Sequence, residues 1–521
     1  MSRISFSISP VQSFVIQSRR TRDLWASSWL LSWLSGQAMF AALQNGKPGR
    51  ELVIPKVSGD NLPKLAGREF PVLPNRFILI VNDLDDARKA AVAAENAFQK
   101  AWKSIAMEVW AHFIESAASK NPDQVAQIWS RQIDSFWEFS WVAHEEDDTS
   151  ALDRRKNWRL PPVTVESGDR CTLMPPWQEI SGFSSARPEG RKAQHEFWQT
   201  VKREVRDPQS IDDRERLCAV AVVKRLFPML KGESLKKAFG NDVSGWTSAW
   251  PSTVDFATYP WRKRIEKACE ADTRLDSLIE NFLRVAGYEG QRLTEPKIGR
   301  LVLEESIDRL DDRDSGYKDR VKVALGEIER HFGKPAGGHF AVLKADGDHV
   351  GKALRSAAEA GKEEKFSRSL VEFAEAVPDI VKKYAGRCVY SGGDDVLALM
   401  PTDDALLCAS EIAKTFSDKF SRLQISRPPT LSVAVLFANY LHPLRQALHG
   451  AERLLNDVAK GESGRDSLAI GLQKHSGYSA QLAGKWDWWD TRIDIFKKML
   501  DGNLTGEPTI TRSYLHHVLE V

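Results

Sequence analysis

Two short acidic segments carry chemistry that this sequence could perform. One is Asp346-Gly347-Asp348; the other, Asp394-Asp395, follows 48 residues after Asp346 and directly after Gly392-Gly393. Carboxylates gathered from two turns repel one another, so such a cluster costs stability unless a cation sits in it. All-oxygen donors with room for water suit Mg²⁺ or Mn²⁺. Two such ions about 3.5–4 Å apart can activate a 3′-hydroxyl and stabilise a leaving pyrophosphate. Glycines ahead of the acids let backbone approach a phosphate or a base closely. Taken alone, Gly392-Gly393-Asp394-Asp395 also reads as an ordinary hairpin turn and Asp346-Gly347-Asp348 as a loop. Together, on strand ends at this spacing, they point to catalysis.

The elements that must position them follow from the pattern around them. Phe340–Lys344 reads as a short apolar strand ended by Asp346-Gly347-Asp348. Helical sequence runs from about 352 to 385, with a break expected near Pro378. Arg387–Ser391 and Val396–Met400 flank the glycines and aspartates as a hairpin, because those residues tolerate positive φ. Thr402 or Asp403 caps a helix carrying Leu406, Ala409, Ala413, Phe416, Phe420 and Leu423 at helical spacing. Leu431–Phe437 is the next strand and Pro443–Lys460 the next helix. The order β-α-β-β-α-β is the ferredoxin-like split unit. In that sheet the first and third strands share the centre, which brings the two acidic turns together.

The amino-terminal segment is compatible with the same plan. Ile4–Ile8 alternates apolar and polar residues as a strand does, and Ser9-Pro10 breaks it. A helix through Phe14, Ile16, Leu24, Trp25 and Trp29-Leu30-Leu31 follows. Strands are expected at Glu51–Pro55 and Phe77–Val81, and long helices around 85–117 and 121–135. Asn82-Asp83-Leu84-Asp85-Asp86 is the nearest approach to an acidic turn here, and it reads as a strand end and helix cap. The fold class is therefore α+β, with two ferredoxin-like palm domains that hint at an ancient duplication. The expected divisions are a non-catalytic first palm over 1–165 and a mainly helical middle domain over 166–330, which includes Leu217–Leu226. A catalytic palm over 331–480 follows, announced by Pro335-Ala336-Gly337-Gly338, and then a short helical segment over 481–521.

Composition bounds the rest. A chain of 521 residues is too long for one hydrophobic core. Its 28 % charged and 42 % hydrophobic residues are those of a soluble globular protein. No apolar run reaches the roughly 20 residues of a membrane span, and the start lacks a signal-peptide layout; the expectation is a cytoplasmic protein. Net charge is only +2, so global charge does not announce a nucleic-acid binder. Local basic clusters at Arg19-Arg20-Thr21-Arg22, Arg154-Arg155-Lys156 and Arg262-Lys263-Arg264 read either as RNA contacts or as solvated helix faces. The seventeen tryptophans are assigned to core or interface anchoring. Five scattered cysteines form no disulfide framework.

Tyr390-Ser391-Gly392-Gly393-Asp394-Asp395, with Leu343-Lys344-Ala345-Asp346-Gly347-Asp348, resembles the large polymerase-cyclase subunit of type III CRISPR effector complexes, the Cas ten family. Ser9-Pro10-Val11-Gln12-Ser13-Phe14, Arg19-Arg20-Thr21-Arg22-Asp23-Leu24-Trp25, Leu73-Pro74-Asn75-Arg76-Phe77 and Arg216-Leu217-Cys218-Ala219-Val220 resemble its Cmr (III-B) branch. The resemblance runs discontinuously from residue 3 to about 480. It implies a crRNA-guided complex of several Cmr subunits whose palm makes cyclic oligoadenylate from ATP on binding target RNA. By position, Asp346 and Asp394 match the family's metal ligands, with Asp395 assisting. Ser391, Gly392, Gly393 and Gly347 would line the nucleotide. Lys460 reads either as a phosphate contact or as a surface lysine.

Three departures accompany the resemblance. The chain has no His-Asp dipeptide, so the HD nuclease found in many relatives, and DNA cleavage with it, is not expected. Relatives often carry a Cys-x-x-Cys pair twice in the middle domain. Here Cys171 is followed three positions on by Met174 and Cys218 by Ala221, so a four-sulfur zinc site cannot form from them and zinc is not expected. The segment after 480 is shorter than the helical domain of relatives. Two other readings stand beside cyclic oligoadenylate synthesis. In one the same palm makes another ATP-derived signal, an S-adenosylmethionine–AMP conjugate or a cyclic dinucleotide; in the other the chain is a non-catalytic RNA-binding scaffold.

Overall fold

The alternating stretch at the amino terminus forms strand β1 (Ser2–Ser9). In a computed structural model the chain is described over residues 2–493, apart from 45–48, 147, 149, 158–165, 206–209, 241–249, 273–274, 309, 311–313, 336–337 and 475–478. Ala336-Gly337 and the helical segment expected after residue 493 therefore lie outside the described residues. The chain divides into two compact units. One is Met1–Trp250 with Glu364–Ala374 and Val389–Gly393; the other is Pro251–Glu363, Glu375–Cys388 and Asp394–Val521. Among the described residues no helix is long and apolar enough to cross a membrane.

In the first unit, β1 lies between β3 (Arg76–Val81) and β4 (Glu138–Glu145), and β2 (Glu51–Ile54) closes the sheet beyond β3. All three pairings are antiparallel. Ile4, Phe6 and Ile8 are fully buried, but so are the alternating Ser5 and Ser7, so neither face of β1 meets water. On the polar face Ser5 Oγ and His144 Nε2 lie 2.8 Å apart, while the buried Ser7 hydroxyl meets no partner among the described residues. The helix Thr21–Gln44 is buried on nearly every side, which its apolar sequence requires. Its Trp25 and Trp29 donate indole N–H bonds to the carbonyls of Glu69 and Arg68 at 2.9 and 2.8 Å. The helix Leu84–Val109 starts at Asp83, whose side chain accepts the Asp86 amide, as a cap should.

In the second unit, helices between residues 253 and 332 pack a core of Trp261, Ile265, Phe282, Leu283, Ile298, Val321, Leu325 and Ile328. The sheet then follows as β5 (His339–Asp348), β6 (Arg387–Gly392), β7 (Asp395–Met400), β8 (Thr430–Asn439), β9 (Ser467–Gln473) and β10 (Ser479–Lys485). Their spatial order is β10-β9-β8-β5-β7-β6. β5 runs antiparallel to both β7 and β8, while β9 joins β8 in parallel.

Several expectations need correction. Asp346-Gly347-Asp348 does not end β5; it is the last part of the strand. Those residues pair with Ser432, Leu431 and Thr430 of β8, whereas pairing with β7 stops at Ala345↔Val396. Pro378 does not break its helix, which runs unbroken as Glu363–Lys383. The break falls at Ala360-Gly361-Lys362, where Gly361 takes φ +67° and the amides of Gly361 and Lys362 turn back to Ala358 and Ala357. The helix expected from Thr402 or Asp403 begins at Ala405, with Asp404 at its cap position. β9 adds a strand within the span expected for the palm, and β10 runs to Lys485 before the short helix Trp486–Asp490, where the segment over 481–521 was expected to be helical.

Candidate active site

Alternation along β5 points Lys344, Asp346 and Asp348 to one face of the sheet. Because β5 outruns β7 there, the hairpin between β6 and β7 sits against the uncovered strand end. That hairpin has a two-residue loop, Gly393-Asp394, with positive φ (+76°) at Gly393. A glycine at the first loop position is what a II′ hairpin turn demands. Contact with β5 is made at Gly347. A side chain begun there would meet Asp394 Oδ2 at 2.7 Å, Asp394 Cβ at 2.8 Å and Val350 Cγ2 at 2.5 Å. Only glycine lets the two acidic segments approach this closely.

The electrostatics bear the mark of crowded carboxylates. The Asp394 carboxyl is pushed up to about 7, first by burial and then by the negative charges of Asp346 and Asp395, with Lys460 pulling the other way. Lys460 lies in a π-helical turn, Leu454–Glu462, that continues the helix Leu444–Arg453. Its ammonium is ion-paired with Asp346 and lies 3.4 Å from the Gly347 carbonyl. Lys460 is thus held against the acidic segment of β5, with its side chain 14 % exposed. Sequence reasoning gave no role to Lys344, which pairs with Glu452. Burial lowers its pKa, while Asp395 and Asp346 raise it. Its place two residues before Asp346 on a strand was the available signal.

The structure thus brings together Asp346, Gly347, Asp394, Asp395 and Lys460, with Lys344 beside them. Among the described residues nothing stands within 4 Å of where a side chain would begin at Gly392 or Gly393, which leaves open space along the turn. Ser391 is fully buried, and its hydroxyl has no hydrogen-bond partner among the described residues. Among the described residues, no three His, Cys, Asp or Glu side chains are already gathered as a metal cage. The donor set still fits a hard divalent cation in kind. It is all oxygen, and one carboxyl is held high by burial and by two like-charged neighbours, the second of which a cation relieves.

Two other sequence features resolve in the first unit. Arg19 donates to the Thr172 carbonyl at 3.0 Å and approaches Glu215 at 3.6 Å. Arg20 lies 3.8 Å from Glu215, and Arg22 donates to Ser210 Oγ at 3.0 Å. This basic run is engaged within its own unit, around the buried ion pairs of Arg225 with Asp23 and Glu215. Cys171 and Cys218 do come together, both buried, with Met174 between them. The Met174 amide donates to Cys171 Sγ at 3.2 Å, and Cys218 Sγ lies 3.9 Å from Met174 Sδ. Burial raises the Cys171 pKa, but hydrogen bonds from Cys218 and from backbone amides outweigh it and bring it to about 7.

Comparison with known proteins agrees with this geometry. Residues 3–107 match the family described as CRISPR-associated protein Cmr2, N-terminal, and residues 339–469 match Cas10/Cmr2, second palm domain. The CRISPR system Cmr subunit Cmr2 of Pyrococcus furiosus is 24 % identical over 598 residues, covering 99 % of this chain and 66 % of that protein. A chain of the type III-B Cmr-beta complex in its apo state superposes with a TM-score of 0.55 at 13 % identity, covering 92 % of this chain and 70 % of that one. For the same complex bound to cognate target RNA the TM-score is 0.60 at 14 % identity, covering 92 % and 71 %. At these identities the structural likeness speaks for the fold. These matches give the chain a Cmr2-type amino-terminal segment and a Cas10/Cmr2-type second palm. The chain spans 66 % of the length of its curated relative.

Proposed function

We propose that this chain is the nucleotide-joining subunit of a crRNA-guided type III-B effector, and that its second-unit palm makes cyclic oligoadenylate from ATP when target RNA binds. The observation that carries the reading is the convergence at Gly347. Asp346 and the Asp394-Asp395 hairpin meet there, where burial and then the neighbouring acids push one carboxyl up to about 7, with Lys460 drawn in as counter-charge. The β5-β6-β7-β8 part of the sheet, in the spatial order β8-β5-β7-β6, supports a ferredoxin-like palm. Partners in this reading are the other Cmr subunits, crRNA and target RNA.

Asp346, Asp394 and Asp395 would hold two divalent ions, Mg²⁺ or Mn²⁺, which when bound supply activation of a 3′-hydroxyl and stabilisation of the leaving pyrophosphate. The chain's own residues do the rest. Lys460 and Lys344 offset the charge of the triphosphate, and the open side of Gly392-Gly393 lets backbone lie close to the nucleotide. The same arrangement suits joining ATP to S-adenosylmethionine or making a cyclic dinucleotide, since nothing in the acidic cluster selects the second substrate. Mass spectrometry of products from ATP, Mg²⁺ or Mn²⁺ and S-adenosylmethionine, with and without cognate target RNA, tests the proposal. Cyclic oligoadenylate, rising at least about tenfold with target RNA, is the expected result. No nucleotide product under any condition would leave the scaffold reading in its place.

A further inference from the structure

The end of β5 holds a second acid of a different kind. Asp348 is only 1 % exposed, and both of its oxygens are taken. Ser432 Oγ donates to Oδ1 and Oδ2 at 2.9 and 2.8 Å, Thr430 Oγ1 donates to Oδ2 at 2.9 Å, and the Asp466 amide donates to Oδ2 at 2.9 Å. The last bond is the telling one. Asp466 closes a run of three left-handed residues, Gly464 at φ +72°, Arg465 at +68° and Asp466 at +48°. Two of these are not glycine, and such conformations persist only where surrounding structure over-determines them. Asp348 holds one end of the run. Lys485 Nζ holds the other, donating to the carbonyls of Gly464 and Arg465 at 3.0 and 2.6 Å.

That run is tied directly to the lysine of the site. The Arg465 amide and Ser467 Oγ both donate to the Ala459 carbonyl, at 3.1 and 2.7 Å, and the Ser463 amide donates to Val458. Ala459 is the residue before Lys460. The charge of Asp348 also acts across space, with Lys460 Nζ 3.8 Å and Arg465 Nε 3.9 Å from its Oδ1. A carboxylate that accepts from two hydroxyls and an amide has little left for a metal.

We propose that Asp348 is a positioning residue, which locks the left-handed run 464–466 and so holds Lys460 in place to meet the phosphates of a bound nucleoside triphosphate. This rests on the reading of Asp346, Asp394, Asp395 and Lys460 as a nucleotide site. The two acids of Asp346-Gly347-Asp348 then divide the work. Asp346 faces the reacting groups, and Asp348 acts only through Lys460.

The test uses the full chain and two readouts. Calorimetry measures binding of ATP carrying a methylene bridge between its α and β phosphorus atoms, in wild type, Asp348→Asn, Lys460→Ala and the double variant. Amide hydrogen exchange follows residues 459–466 without nucleotide. Asp348→Asn is expected to weaken binding about tenfold, in keeping with loss of a charged hydrogen-bonding group, and to speed exchange across 459–466. The double variant should bind no more weakly than Lys460→Ala alone, since one residue acts through the other. The Mg²⁺ dependence should stay at the wild-type midpoint in Asp348→Asn and shift in Asp346→Asn. Additive losses, a shifted Mg²⁺ midpoint in Asp348→Asn, or unchanged exchange would each overturn the proposal. Ser432→Ala, which removes a donor and leaves the charge, should give a smaller effect of the same kind if Asp348→Asn fails to fold. If wild type binds no nucleotide, the site reading fails by itself, and the exchange readout still decides what Asp348 does.

Discussion

The sheet of the first unit and the sheet of the second place four strands in the same spatial order, β4-β1-β3-β2 in one and β8-β5-β7-β6 in the other. Their differences lie at the ends. In the first sheet the second and third strands are joined through residues 55–75, including the short helix Leu62–Ala66, and the first strand ends at Ser9-Pro10. In the second the join is Gly393-Asp394, and the first strand ends in Asp346-Gly347-Asp348. The fates of the carboxylates differ to match. Asp86 is buried against Arg50, whose guanidinium lies 2.7 Å away and holds that carboxyl well below the usual range. Asp394 faces other acids and is pushed the opposite way. The same strand order therefore holds one carboxylate against a counter-charge and another among like charges, and the neighbouring side chains decide which.

The sharpest way to break this comparison is to remove acids from each unit in turn. Asp394→Ala with Asp395→Ala should reduce nucleotide product by on the order of 100-fold or more, with assembly into the complex intact by gel filtration. Asp85→Ala, at an exposed acid of the first unit, should leave product within about twofold. Equal losses from both would end the division of roles. Gly347→Ala comes next. Its Cβ would collide with Asp394 and Val350, so a fall in product of about tenfold and a stability cost of about 1–3 kcal/mol by urea denaturation are expected.

Asp86→Ala tests the other side. It leaves Arg50 buried without its partner, which should cost about 3–5 kcal/mol in urea denaturation while binding of ATP is spared. The pH dependence has a definite sign. The folded carboxyl of Asp86 titrates below its unfolded value of about 4, so its contribution is complete above that pH and is lost as the pH falls below it. Asp86→Asn should flatten the acid limb of stability against pH. Lys344→Met carries the smallest effect, a rise in KM for ATP of about fivefold with the fold intact by circular dichroism. No change in KM would assign Lys344 to its pairing with Glu452 alone.

Much of this was legible in the residues. Apolar alternation marked β1, a short apolar run marked β5, and β3 was expected just after Pro74-Asn75-Arg76. The glycine pair marked the hairpin, and the 48-residue spacing brought its acids to the end of β5. What was hidden depends on neighbours distant in sequence. The pairing of Asp346-Gly347-Asp348 with β8 makes it strand and not loop. Pro378 can remain inside a helix whose surroundings hold it, while the break goes to Gly361, where a left-handed residue turns the chain. Lys344 was marked only by its place two residues before Asp346, and Asp348 only as the second acid of its segment, because what they touch, Glu452 for one and Ser432 and Asp466 for the other, comes from across the fold.

The indole-rich helix Thr21–Gln44 has a practical consequence. Trp25, Trp29 and Trp33 follow one another along it, and Trp102 and Trp198 are also buried in the first unit. In the second, Trp261 and Trp489 are buried and Trp488 is open to solvent. Intrinsic emission from this protein is therefore weighted toward its amino-terminal unit, whereas far-ultraviolet dichroism samples the helices of both. Melting curves followed by the two optical signals will coincide only if the units come apart together. Any separation between them measures how independently the sheet that carries the acidic cluster holds its shape.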